Sequence, residues 1–219
     1  MKQNLPNILT VLRLVLSVAM FVALIIVSAA LRGAPIGPVA AIWLARFSFG
    51  AFVVAAVTDY FDGWLARRWG VVSLTGAILD PIADKILVCG AIVGLMAMGM
   101  TPDTRMAPVM AFFSGVILFR EFAVSALREV LAPRGIKLPV TRLAKIKTAL
   151  QLVALGALMV MEFWPVWRID ATITVLRTAL EAAEGLYGVA TLVTLWTGLE
   201  YGRSAWLALK ADPDRPATD

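Results

Sequence analysis

The sequence predicts an all-α integral membrane protein with six transmembrane helices in a single domain. Three observations carry this. Of 219 residues, 60% are hydrophobic and only 16% are charged, with a mean hydropathy of +0.84; a soluble domain of this size needs more polar surface to meet water. The apolar residues gather into runs of about the length that crosses a bilayer. The basic residues alternate between successive loops, which sets an orientation.

The first run, 14–31, is uncharged over 18 residues. That is longer than a signal-peptide core, and we read it as a retained first helix. Further runs lie near 38–58, 86–102, 106–127, 148–161 and 185–199. Several contain or abut charge: Arg46 in the second, Arg120 and Glu121 in the fourth. Ionisable groups at membrane depth are costly unless paired or solvated, so they mark functional positions. Residues 169–183 form either an amphipathic segment on a surface or a longer start to the last helix.

Arg67 and Arg68 follow the second run, and Arg134, Lys137, Arg142, Lys145 and Lys147 follow the fourth. Lys2 lies at the start and Arg203, Lys210 and Arg215 at the end, whereas the alternate loops are poor in bases. By the positive-inside rule both termini are cytoplasmic, and the 59–84 stretch shares that face with the long basic loop. The membrane domain is expected to span 1–205, with a polar, flexible tail at 206–219.

The chain has no histidine and one cysteine, Cys89. Histidine-based acid–base catalysis, histidine phosphoryl carriers and the usual zinc sites are excluded. Cys89 sits in an apolar run and reads as a small buried hydrophobe. Proton transfer falls to Asp, Glu, Lys, Tyr or water.

The stretch 59–84, DYFDGWLARRWGVVSLTGAILDPIAD, holds four aspartates and two arginines. Asp59 and Asp62 are three apart and Asp80 and Asp84 four apart, so each pair shares one helix face. Arg67 to Gly70 ends one helix, Ser73, Thr75 and Gly76 mark a turn, and Asp80-Pro81 suits the first turn of the next helix. Four carboxylates held close together stay ionised only with cations between them. Hard oxygen ligands favour magnesium, manganese or calcium. Two such ions on four aspartates can clamp a pyrophosphate and activate an attacking oxygen. The small residues Gly63, Ala66 and Gly76 serve either ligand approach or helix packing, and Arg67 and Arg68 serve either a ligand or topology. A cation transporter or channel using the same carboxylates, or a structural assembly protein indifferent to them, are the readings from other classes.

The eight positions Asp59, Asp62, Gly63, Ala66, Arg67, Gly76, Asp80 and Asp84 match the signature of the CDP-alcohol phosphotransferase family, which this chain resembles. The start, Asn4 to Arg13 (NLPNILTVLR), and the stretches Arg120-Glu121-Phe122 to Glu129 and Lys145-Ile146-Lys147-Thr148 to Gln151 are similar to the members that use glycerol 3-phosphate as acceptor. Ala144 departs, standing where those members usually have glycine. The likeness covers roughly residues 1–160; residues 163–184 look divergent and the last helix generic.

The resemblance implies transfer of a phosphatidyl group from CDP-diacylglycerol to glycerol 3-phosphate, giving phosphatidylglycerophosphate and CMP. Inositol phosphate, serine or phosphatidylglycerol are the alternative acceptors. It implies two divalent cations, magnesium or manganese, held by Asp59, Asp62, Asp80 and Asp84, with Asp80 and Asp84 catalytic and Asp84 the general base. Asn7, Thr10, Arg13, Asp62, Gly63, Ala66, Arg67 and Gly76 would bind the nucleotide of the lipid donor. Arg120, Arg128, Lys145 and Lys147 would bind the acceptor phosphate; arginine and lysine suit a dianion through charge-assisted hydrogen bonds. Glu121, Ser125 and Arg128 share one helix face, as do Lys147 and Gln151. It further implies a homodimer in the lipids of a bacterial inner membrane, its site facing the cytoplasm, with no nucleic-acid partner.

Overall fold

The computed structural model describes residues 5–69, 74–135 and 142–211, with the side chains of 5–6, 60–69, 74–78, 142, 144–145 and 211 outside that description. Among the described residues all regular structure is helical: α1 (Leu5–Leu31), α2 (Pro38–Trp69), α3 (Leu74–Met98), α4 (Ala107–Leu131), α5 (Arg142–Glu162), the single turn α6 (Trp164–Trp167) and α7 (Ile173–Ala211). Among the described residues four stretches are long and apolar enough to cross a membrane: Asn7–Leu31, Pro38–Asp59, Leu79–Met98 and Ala107–Leu131. α5 and α7 have 21 and 39 residues. Their hydropathy is lowered by polar residues that turn inward: Lys147, Gln151, Thr191, Thr194 and Thr197 are all buried.

The helices pack as two groups. α1 lies against α2 and α3, and α7 lies against α4 and α5, with lighter contacts of α2 and α3 to α5 and of α3 to α4 joining the groups. The buried residues of α1 include Arg13, Ser17, Met20, Leu24 and Val27, an i, i+4, i+7 stripe on one face of a 3.6-residue helix. The opposite face carries Val11, Val15, Val18, Val22 and Ile25, all exposed. Phe112, Phe119, Leu192, Trp196 and Leu199 are exposed on α4 and α7. Continuous apolar faces of this extent suit hydrocarbon rather than water. Gly33, with φ 92°, terminates α1 in a conformation that favours glycine.

Close helix approach depends on small residues. A Cβ placed on Gly94 of α3 would lie 2.8 Å from the Leu24 Cβ of α1, so these two helices meet only because that side chain is absent. Gly94→Leu is expected to lower stability by roughly 1–3 kcal/mol or more through overpacking. Thermal unfolding in detergent checks this; an unchanged midpoint would show that the α1–α3 contact is loose.

Polar contacts pin one end of the bundle. Ser28 Oγ donates to the Ala97 carbonyl at 2.7 Å, Arg46 to the Val166 carbonyl at 2.8 Å, and Thr101 Oγ1 to Glu184 Oε1 at 2.5 Å. The start of α1, the end of α2, the start of α3, the end of α4 and the start of α5 gather at the other end.

Three sequence expectations shift. α3 begins at Leu74 and carries Pro81 in its interior, so Asp80-Pro81 is not a first turn, and Thr75 and Gly76 belong to the helix rather than to a turn. A proline there removes one backbone hydrogen bond at about 3 kcal/mol. A helix packed in a bilayer tolerates it, because no solvated alternative exists for the remaining backbone groups. α7 runs unbroken from Ile173, so 169–183 is largely the extended start of the last helix. α7 also reaches Ala211, so 206–211 is helical and 212–219 lies outside the described residues.

Candidate active site

Arg13 is the centre of the first cluster. It is buried on α1, its side chain 1% exposed, while Asp59, Asp80 and Asp84 around it are 33%, 51% and 53% exposed. Its Nη1 forms a close ion pair with Asp59 Oδ1 and another at 2.8 Å with Asp84 Oδ1, and its Nη2 lies 3.3 Å from Asp80 Oδ1. Thr10, one turn earlier, donates its hydroxyl to Asp80 Oδ1 at 2.6 Å. Asn7 lies a further turn towards the helix start. The three helices thus bring together residues 46 to 71 positions apart.

A buried guanidinium is costly in a membrane helix unless paired, and here carboxylates from two other helices pair it. Thr10 and Arg13, expected to serve a nucleotide, touch the aspartates directly. Asp62, Gly63, Ala66 and Arg67 continue along α2 and Gly76 stands near the start of α3; their side chains, like that of Lys145, lie outside the described residues.

The donor chemistry fits a hard divalent cation. Three carboxylates face one guanidinium, and the candidate ligands are all oxygen. Among the described residues the three surround Arg13 rather than forming a closed acidic cage of their own.

A second cluster lies between α4, α5 and α7. Arg120 is buried; its Nη1 donates to Glu121 Oε1 at 3.3 Å and its Nη2 to Thr197 Oγ1 at 3.1 Å. Lys147, also buried, forms a close ion pair with Glu121. Gln151 donates to Thr194 Oγ1 at 2.8 Å, and Arg128 to the Tyr201 hydroxyl at 2.8 Å. α3, which carries Asp80 and Asp84, also contacts α4 and α5, the helices of the basic cluster. Asp84 therefore lies on the helix that links the acidic cluster to the basic one.

The structure brings Arg120, Arg128 and Lys147 into one group, as the sequence suggested. It adds what the sequence reading passed over: α7, taken as generic, contributes Thr194, Thr197, Gly198 and Tyr201. The signal was present in GVATLVTLWTGLEYG. Thr191, Thr194, Thr197 and Tyr201 recur at three- and four-residue spacing in an apolar helix and are all buried, a polar stripe turned away from lipid.

Carboxylates gathered near buried basic side chains in an apolar helical bundle suit phosphoryl-transfer chemistry. The comparisons agree. The chain belongs to the CDP-alcohol phosphatidyltransferase family, whose sequence model matches residues 3–196. Among its relatives is the CDP-diacylglycerol–glycerol-3-phosphate 3-phosphatidyltransferase of Cereibacter sphaeroides, 41% identical over 158 residues, which are 72% of this chain and 64% of that protein's length. The enzyme of the same name from Salmonella typhimurium is 32% identical over 203 residues, 92% of this chain and 94% of the other. The Rickettsia felis one is 37% identical over 157 residues, 72% and 75% of the two chains.

Proposed function

We infer that this chain transfers the phosphatidyl group of CDP-diacylglycerol to glycerol 3-phosphate, giving phosphatidylglycerophosphate and CMP. The observation that carries the reading is the aspartate cluster around Arg13 on a helix, α3, that also contacts α4 and α5 with their buried basic residues, in a chain whose relatives bear that activity in their names.

The lipid donor lies with its acyl chains in the bilayer and its cytidine near the end of α2 and the start of α3, against Asp62, Gly63, Ala66, Arg67 and Gly76. Asn7, Thr10 and Arg13 close this side from α1. Asp59, Asp62, Asp80 and Asp84 would hold two divalent cations, magnesium or manganese, which supply charge neutralisation at the pyrophosphate when bound. Arg120, Arg128, Lys145 and Lys147 bind the phosphate of the acceptor and orient its 1-hydroxyl. Asp84 takes the hydroxyl proton as the oxygen attacks the phosphatidyl phosphorus; the new P–O bond forms as the bond to CMP breaks.

Six spans with both termini cytoplasmic place this site on the cytoplasmic face of a bacterial inner membrane, and the enzyme works as a homodimer. Support for the six comes from the lengths of α5 and α7 and their inward polar stripes. Support for the facing comes from the basic residues at 134–147 and 203–215.

The test offers the purified protein CDP-diacylglycerol with glycerol 3-phosphate, inositol phosphate, serine or phosphatidylglycerol, and reads CMP release and the lipid product. Glycerol 3-phosphate is expected to support turnover well above the others. A higher rate with another acceptor would move the chain to a different activity within its family.

A further inference from the structure

Tyr201 stands where two arginines meet. It is buried on α7, and its hydroxyl accepts from Arg128 at 2.8 Å. The Arg128 guanidinium carbon lies 5.0 Å from the ring centroid and that of Arg120 lies 5.6 Å from it. Two like charges around one ring repel, and in a site shielded from water the repulsion is stronger. A ring face and a hydroxyl oxygen offset part of that cost through cation–π attraction and a charge-assisted hydrogen bond.

The rest of α7 is shaped to the same purpose. A Cβ on Gly198 would lie 2.7 Å from Arg120 Cγ, so the stem of Arg120 runs across the helix where the side chain is missing. Thr197 accepts from Arg120 Nη2 at 3.1 Å. Arg120 Nε is buried and has no acceptor among the described residues. A buried donor without a partner costs stability in the free protein and is offset when an oxygen reaches it. Three residues of α7, Thr197, Gly198 and Tyr201, therefore set where Arg120 and Arg128 lie around one ring, and Arg120 keeps a donor to spare.

We propose that Tyr201 is a positioning residue for the acceptor: with Gly198 and Thr197 it holds the guanidinium groups of Arg120 and Arg128 together so that both engage one phosphate dianion. This rests on the reading that those arginines bind the acceptor phosphate. The tyrosine itself acts through them.

The experiment measures KM for glycerol 3-phosphate, KM for CDP-diacylglycerol and kcat in Tyr201→Phe, Tyr201→Leu and Gly198→Ala, beside Arg120→Ala and Arg128→Ala. Calorimetric titration of glycerol 3-phosphate into wild-type protein and Tyr201→Phe measures acceptor binding apart from turnover. Tyr201→Phe keeps the ring and loses the hydroxyl, so acceptor KM is expected to rise roughly tenfold. Tyr201→Leu loses both and is expected to raise it further, with KM for the lipid donor unchanged. Gly198→Ala displaces the stem of Arg120 and is expected to raise acceptor KM as well. If the arginine variants raise acceptor KM and Tyr201→Phe leaves both KM and titrated affinity at wild-type values, the tyrosine inference fails and the acceptor site stands. If neither arginine variant changes acceptor KM, the acceptor assignment fails and the role of Tyr201 fails with it. Equal loss of kcat and of both KM values without the Phe-to-Leu grading would make Tyr201 a packing residue only.

Discussion

Asp84→Asn is expected to lower turnover about 10²- to 10⁴-fold, the usual contribution of a positioned general base. Asparagine keeps the shape and one ligating oxygen but cannot take a proton. The effect is therefore expected in kcat, with KM for CDP-diacylglycerol little changed. The choice of Asp84 rests on its position. It pairs with Arg13 at 2.8 Å, and its helix also contacts α4 and α5, which carry the buried Arg120 and Lys147. No histidine is present to take the role. CMP release in single-turnover and steady-state assays checks it, and turnover near wild type would remove Asp84 as the base. Asp84→Asn with a raised requirement for divalent cation and normal kcat at saturation would instead make it a ligand alone.

The aspartates were legible in the sequence because charge is rare and costly in an apolar chain. Four carboxylates at three- and four-residue spacing have few structural explanations there. The same logic picked out Arg120 inside the fourth run, which is buried against α7. What the sequence hid was non-local. Nothing in a linear reading brings Arg13 to Asp59 and Asp80, 46 and 67 positions away; only the packing of α1 against α2 and α3 shows it as the cation among the carboxylates. α7 was hidden for a different reason. Its threonines and tyrosine carry no charge and blend into a hydrophobic helix, and only packing shows that they form its inner face. Pro81 misled because proline usually opens a helix in water. In a bilayer the helix runs through it, since unpaired backbone groups have nowhere better to go.

Arg13→Ala is expected to destabilise the protein, by less than the about 3–5 kcal/mol of a fully buried pair because the carboxylates it leaves are partly exposed. Here the loss leaves Asp59, Asp80 and Asp84 near one another with no cation between them, since all three contact the same guanidinium. Like charges at that separation repel unless a proton or metal intervenes. The variant's stability is therefore expected to depend on divalent cation more steeply than that of the wild type. Magnesium or manganese should raise its unfolding midpoint by a larger increment, because binding to the folded state alone stabilises by mass action. Arg13→Lys restores the charge but not the fork that reaches Asp59 and Asp84 through Nη1 and Asp80 through Nη2. It should recover part of the stability and less of the activity. Thermal unfolding in detergent, with chelator and across a divalent-cation titration, reads both. Equal midpoints for wild type and Arg13→Ala in chelator would mean that the carboxylates do not need this cation. A metal increment no larger in the variant would mean that guanidinium and metal do not share the same negative charge.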